Sequence, residues 1–299
     1  MSKEQRGKVD AMLRKPAPEG PRSVEEFRAG FRQLMAGMIV PDTVRTAEAE
    51  LGGRRALRFE PESGPTAAGT VLYFHGGGWV VGSPETARAL TANLVARTGL
   101  EAYSVQYRLA PEHPFPAAIE DTVSAYRALL DSGTDPAAVV FAGDSAGGGL
   151  AVTTCLAARD AGLPLPAAVL AFSPGTDATR TGESMETRAG LDPFFTRASL
   201  EYTGAMYLAG ADPHQPLLSP ALYADLTGFP PMLIQVGTNE LLMDDSTRLA
   251  ARARAAGVDV ILDVTADVPH VFQAFAGILD EADEALDRAA LFLRQRLRG

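Results

Sequence analysis

The sequence predicts an α/β fold, a mostly parallel, doubly wound sheet of eight strands carrying a helical cap. Short apolar runs at 71–74, 102–106, 139–142, 168–172, 232–236 and 258–264 read as strands buried on both faces. Helical stretches at 86–97, 116–130, 146–161 and 246–256 alternate with them, which is the rhythm of crossover connections between parallel strands. Segments 43–51 and 54–60, joined by Gly52-Gly53, read as a hairpin and supply an antiparallel edge. The last helix is expected over 283–297.

The cap is expected from two separate segments. Pro16, Pro18, Gly20 and Pro21 divide a short first helix from a second, which Ser23 and Glu26 open as a capping box. In that second helix, running to about Met38 before Pro41, residues Phe27, Phe31, Leu34, Met35 and Met38 recur at three-to-four spacing. Such a stripe requires a partner surface. The partner is expected in an interval of about 55 residues between the strands ending at Phe172 and beginning at Met232, far longer than an ordinary crossover loop. It contains Phe194 and Phe195 and a helical stretch 197–208 with Tyr202, Met206 and Tyr207. The expected organisation is therefore N-terminal cap helices over 1–41 and a body over 42–299, interrupted by a cap insertion at about 175–225.

Composition sets the class. With 299 residues, 46% hydrophobic and 21% charged, the chain has a core's worth of apolar side chains and is not disordered. A net charge of −10 with no basic stripe argues against nucleic acid. The one cysteine, Cys155, can close no internal disulfide, and no zinc-ligand spacing occurs. Residues 1–15 are polar and charged, and no run of about 18 apolar residues exists to span a bilayer. A cytoplasmic protein that does not insert into membranes is the expectation.

Chemistry concentrates in two glycine-rich stretches. The run at 139–150 is an apolar strand that passes through Gly143-Asp-Ser-Ala-Gly147 into a helix, the strand-turn-helix setting of a nucleophile elbow. Ser145 is the candidate nucleophile, raised above the sheet on a strained turn, with the N-terminus of the following helix directed at developing negative charge. Asp144, one residue away, cannot reach across to orient a histidine serving Ser145 and is expected to be structural. The strand at 71–74 runs into His75-Gly76-Gly77-Gly78-Trp79, where successive glycines free the backbone to turn amides inward. The amides of Gly77, Gly78 and Ala146 are the expected oxyanion hole, each donor contributing about 2.7 to 4 kcal/mol. His75 precedes the serine in the chain, against the order in which this kind of site supplies its base, and is expected to brace the loop.

These motifs, with Tyr107-Arg-Leu-Ala-Pro-Glu-His-Pro-Phe-Pro-Ala-Ala118 and a late histidine, resemble the bacterial hormone-sensitive-lipase family of α/β-hydrolases over nearly the whole chain. The resemblance implies an α/β-hydrolase fold, carboxylesterase activity on short to medium acyl esters of small molecules, no cofactor or metal, a lid, and a homodimer through the last helix and strand. Of four histidines, His75 and His113 precede Ser145 and His214 lies in the cap interval, which leaves His270 as base. The family's acid pattern, laid on Gly237-Thr-Asn-Glu-Leu-Leu-Met-Asp-Asp245, places Glu240 at the acid position, with Asp244 as the competing carboxylate. Trp79, Phe31, Phe194, Tyr202 and Met206 are the expected substrate-binding residues, with Phe27 and Tyr207 as further candidates. An amide, N-acetyl or lactone hydrolase would use the same triad. A small-molecule receptor similar to the plant gibberellin receptors would keep the pocket but lose the histidine, and His270 argues against it.

Overall fold

A computed structural model describes residues 2–14 and 23–297. The separator containing Pro16, Pro18, Gly20 and Pro21 lies outside the described residues. The strands are β1 (Val44–Leu51), β2 (Arg54–Pro61), β3 (Thr70–Phe74), β4 (Glu101–Val105), β5 (Val139–Asp144), β6 (Ala168–Phe172), β7 (Met232–Gly237) and β8 (Val260–Thr265). They form an eight-stranded sheet in the order β1-β2-β4-β3-β5-β6-β7-β8. Strand β2 pairs antiparallel with β1 and β4, and the remaining pairs are parallel.

The helices are α1 (Ser2–Leu13), α2 (Val24–Met35), α3 (Arg88–Thr98), α4 (Ala117–Asp131), α5 (Ala146–Asp160), α6 (Ser184–Thr187), α7 (Arg197–Leu208), α8 (Pro220–Tyr223), α9 (Met243–Ala255) and α10 (Asp280–Arg296). Alternation along the strands sorts side chains to two layers. Val71, Tyr73, Val140 and Leu170 meet Leu90 and Val95 of α3 and Leu286 and Phe292 of α10. Leu72, Phe74, Phe141 and Val169 meet Tyr126 of α4, Leu150 and Cys155 of α5 and Leu249 of α9. Strands β3, β6 and β7 are buried along their whole length, and their sequences are apolar apart from Thr70 and Gln235.

Register aligns the carboxyl ends of the parallel strands. Phe74 pairs with Gly143, Asp144 with Phe172, and Gly237 with Thr265. The loops that follow them therefore emerge side by side on one edge, where an open α/β sheet places its ligands.

Several boundaries differ from the sequence expectation. Strand β8 is not buried on both faces: it is the sheet's last strand, and Ile261 and Val264 are exposed. Helix α9 starts at Met243, earlier than the expected 246, which puts Asp244 and Asp245 inside its first turn. Before the last helix, which begins at Asp280 and not at 283, the chain makes a 3-10 turn, Phe272–Phe275, with the left-handed Gly277 beyond it. Helix α2 stops at Met35, where the chain turns through Gly37.

Phe141 is fully buried, edge-on to Phe74 at 5.8 Å and to Tyr126 at 4.7 Å between ring centroids. Phe141→Ala should cost about 3–5 kcal/mol of stability, seen as a lower denaturation midpoint with an unchanged denaturant slope.

Candidate active site

The turn after β5 sets the site. Ser145 has φ 53° and ψ −119°, and α5 begins at the next residue. Its amide donates to the Phe172 carbonyl at 2.8 Å, and its carbonyl accepts from Gly149 and Gly175, both at 3.0 Å. A methyl group at Gly147 would overlap the Phe74 carbonyl, so only glycine lets α5 lie this close to β3. Left-handed φ at a serine costs on the order of 1–2 kcal/mol, and these three backbone bonds hold it there.

Above that turn the loop after β8 delivers His270. Its Nε2 lies 2.8 Å from Ser145 Oγ and its Nδ1 2.8 Å from Glu240 Oε2. Glu240, from the loop after β7, is completely buried, and its Oε1 accepts from Ser173 Oγ at 2.7 Å and from the Gly237 amide. An ionised carboxylate can only accept, so Nδ1 carries the ring proton and Nε2 presents its lone pair to the serine hydroxyl. Burial opposes charge on His270, but the hydrogen bond and charge of Glu240, with Asp192 and Asp144 further off, outweigh it and raise the imidazole above its ordinary 6.5. Burial raises Glu240 in turn, against the bonds from His270, Gly237 and Ser173.

The loop after β3 lies alongside. Gly77 and Gly78 adopt φ 122° and 60°, and a side chain on Gly77 would overlap the Val81 carbonyl. Asp144 accepts from Tyr73 Oη at 2.7 Å and from the Gly76 amide at 3.1 Å, so it braces this loop from below. Burial lifts it to about 6. His75 stacks on Tyr107 at 4.1 Å, with Nδ1 2.9 Å from the Gly76 carbonyl, and burial lowers it to about 4. It is a neutral wedge in the loop.

A family model described as the alpha/beta hydrolase fold matches residues 71–274. A crystal structure of an esterase from the bacterial hormone-sensitive lipase family superposes with a TM-score of 0.94 at 41% identity, over 98% of each chain. The chain belongs to the bacterial hormone-sensitive-lipase family of α/β-hydrolases. An acetyl-hydrolase of Streptomyces hygroscopicus is 45% identical over 75% of this chain and 75% of its own. An esterase of Acinetobacter venetianus is 35% identical over 84% of this chain and 82% of its own.

In this family member Ser145 and His270 lie in a cavity whose walls include Trp79, Phe31 and Phe194, together with Phe27 and Phe195. Tyr202 and Met206 are placed elsewhere. They line a separate depression with Ser23 and Val24 between α7 and α2, and Tyr202 is more than half exposed. Helix α7 turns that face toward α2, and its Thr203 and Leu200 reach the Ser145 cavity instead. Tyr207 stacks on the far side of Trp79 at 4.5 Å. Asp244 is turned away from His270: its carboxylate accepts from the Ser184 amide at 2.9 Å and lies 3.2 Å from Thr247 Oγ1.

Two residues that tie the site together have no sequence signal. Ser173 donates to Glu240 and accepts from the Val271 amide at 3.1 Å, which links the acid to the segment carrying the histidine. Asp192, buried in the insertion, accepts from the amides of Phe194 and Phe195 through one oxygen and from that of Leu241 through the other. It fastens a wall of the cavity to the residue after Glu240.

Because the Glu240 carboxylate is what raises His270, the imidazole should titrate above 6.5 by NMR. Glu240→Gln removes the charge, so the same resonance should titrate lower; an unchanged midpoint would contradict the electrostatic coupling.

Proposed function

We propose that Ser145, His270 and Glu240 form the catalytic triad of a carboxylesterase acting through an acyl-enzyme, with the amides of Gly77, Gly78 and Ala146 as oxyanion hole. The observation carrying this reading is the continuous relay from Ser145 Oγ through both nitrogens of His270 to Glu240, each contact 2.8 Å. His270 takes the serine proton as Oγ attacks the ester carbonyl carbon, and the carbonyl oxygen becomes an alkoxide facing the three amides. Helix α5 begins at Ala146, whose amide has no partner within the helix and is free to donate. Collapse of the intermediate breaks the bond to the alcohol, which leaves with the proton from His270. A water molecule then repeats the sequence on the acyl-enzyme and restores the serine. Glu240 stays ionised throughout, holding the tautomer and stabilising the imidazolium.

The substrate is a small-molecule ester with a short to medium acyl chain, bounded by a cap made of residues 1–41 and the insertion at about 175–225. Aromatic walls from α2 and from Phe194 and Phe195 support that division. The name of the Streptomyces relative, acetyl-hydrolase, fits a small acyl group and favours the amide alternative less than the ester reading. With a single buried cysteine, a cytoplasmic setting is part of the proposal. No helix among the described residues is long and apolar enough to cross a membrane. A homodimer through β8 and α10 is also proposed, supported by exposed Ile261, Val264 and Leu291.

Turnover of p-nitrophenyl esters from acetate to palmitate, beside matched amides and lactones, tests the class: rates should peak at short to medium esters and fall steeply for palmitate. Ser145→Ala should lower ester turnover by about six orders of magnitude, and a tenth of wild-type rate remaining would sink the nucleophile. Glu240→Gln should lower it by about three to four orders while the protein stays folded. Asp244→Asn, which weakens only the bonds to Ser184 and Thr247, should cost on the order of 1 kcal/mol in stability and leave turnover near wild type. The reverse pattern would pass the acid role to Asp244.

A further inference from the structure

The walls of the Ser145 cavity are mostly apolar, yet they include the guanidinium-bearing Arg180. The same residue borders an adjoining recess floored by Tyr207, Leu217 and Pro220, and Trp79 and Gly175 are common to both spaces. Gly175 separates the two spaces only thinly: a methyl group there would just touch the Trp79 ring, at 3.4 Å. His270, Phe194 and Phe195 line the main cavity but not this recess. The leaving alcohol must lie next to His270 to receive its proton. The recess therefore falls to the acyl side.

Arg180 is held there by construction. Its φ is 54°, unfavourable for a residue with a side chain. The turn that imposes this is pinned by Asp245, whose carboxylate accepts from the amides of Thr176 and Asp177 at 2.7 and 2.8 Å. It is pinned again by Asp177, which accepts from the Thr179 amide and from Arg248, both at 2.9 Å. The Arg180 side chain is only 12% exposed, and its nearest carboxylate oxygen, on Asp245, is 3.8 Å away and occupied by those two amides. Nη1 of Arg180 is buried without a hydrogen-bond partner, and so is Nε1 of Trp79. Leaving a buried donor unsatisfied costs about 1–3 kcal/mol, and both donors belong to residues that line the recess, where a small side-chain shift would turn them toward an acceptor. Burial also pushes Asp245 up to about 7, which weakens its hold on the guanidinium's charge near neutrality.

We propose that this recess recognises an acyl group bearing an oxygen acceptor beyond the ester carbonyl, a carboxylate, keto or hydroxyl oxygen, through Arg180 and Trp79 Nε1. The inference rests on the triad reading above and names the substrate class of that site. It makes Arg180 a specificity determinant with no role in bond breaking.

The test compares kcat/KM for chain-matched p-nitrophenyl esters, 4-oxopentanoate against pentanoate and monoglutarate against hexanoate, after subtraction of spontaneous hydrolysis. Wild-type enzyme should favour the oxygenated member by about tenfold or more in at least one pair. A preference confined to glutarate assigns the recognition to charge, and a preference in both pairs assigns it to hydrogen bonding. Arg180→Met should bring the favoured ratio close to one, and Trp79→Phe should reduce it while keeping an aromatic ring. A wild-type ratio near one in both pairs overturns the proposal. So does an unchanged ratio in Arg180→Met, which with a lowered thermal midpoint would leave Arg180 a structural partner of Asp245. If no ester is turned over, or if Ser145→Ala retains turnover, the triad reading itself fails, a result separable from any change in ratio.

Discussion

The tightest constraint in the molecule is the approach of helix α5 to strand β3, where Gly147 lies against the Phe74 carbonyl with no room for a methyl group. Everything at the site follows from that contact. It accompanies the pairing that brings the end of β5 beside the end of β3, so the serine turn and the glycine loop lie side by side. The chain leaves β5 through a left-handed serine. The unfavourable conformation is local, while the bonds that hold it come from β6 and the segment after it, through Phe172 and Gly175.

The electrostatic design follows a similar logic. A fully buried glutamate in an apolar fold would take up a proton unless its charge were matched. Here Ser173, the Gly237 amide and His270 supply donors to it, and the histidine is raised as the glutamate's charge reaches it. His75 shows the contrasting case within the same sheet edge. Buried with only a carbonyl beside its Nδ1 and no carboxylate partner, it is driven neutral and packs as an aromatic plate.

Much of this was legible because the signals are local. The strands β3, β5, β6 and β7 are buried on both faces, which makes each an apolar run, and Ser145 is marked by glycines needed within a few residues of it. His270 followed from chain order and Glu240 from the family's acid pattern, and the structure brings both to Ser145. What stayed hidden depends on contacts distant in sequence. Ser173 and Asp192 are ordinary polar residues until folding sets them beside Glu240 and Leu241. Arg180 gave no signal because a positive φ at a non-glycine residue leaves no trace in composition. Tyr202 and Met206 were misplaced because α7 carries apolar residues on more than one side, so periodicity could not say which side meets the cavity. Strand β8 looked like its neighbours because an edge position is set by topology and not by the segment's own residues.

Ser145 and His270 meet across 125 residues of chain, and Ser173 and Glu240 join them from two further strand ends. The pairing is strongly non-local, and loop-closure entropy must be overcome before it forms. During synthesis Ser145, the glycine loop and most of the sheet exist well before His270 does. Under the proposed triad, a nascent or truncated chain ending short of His270 is chemically silent however well its earlier strands have packed. Appearance of turnover is in consequence a clock for the completion of folding, read at the last strand to be made.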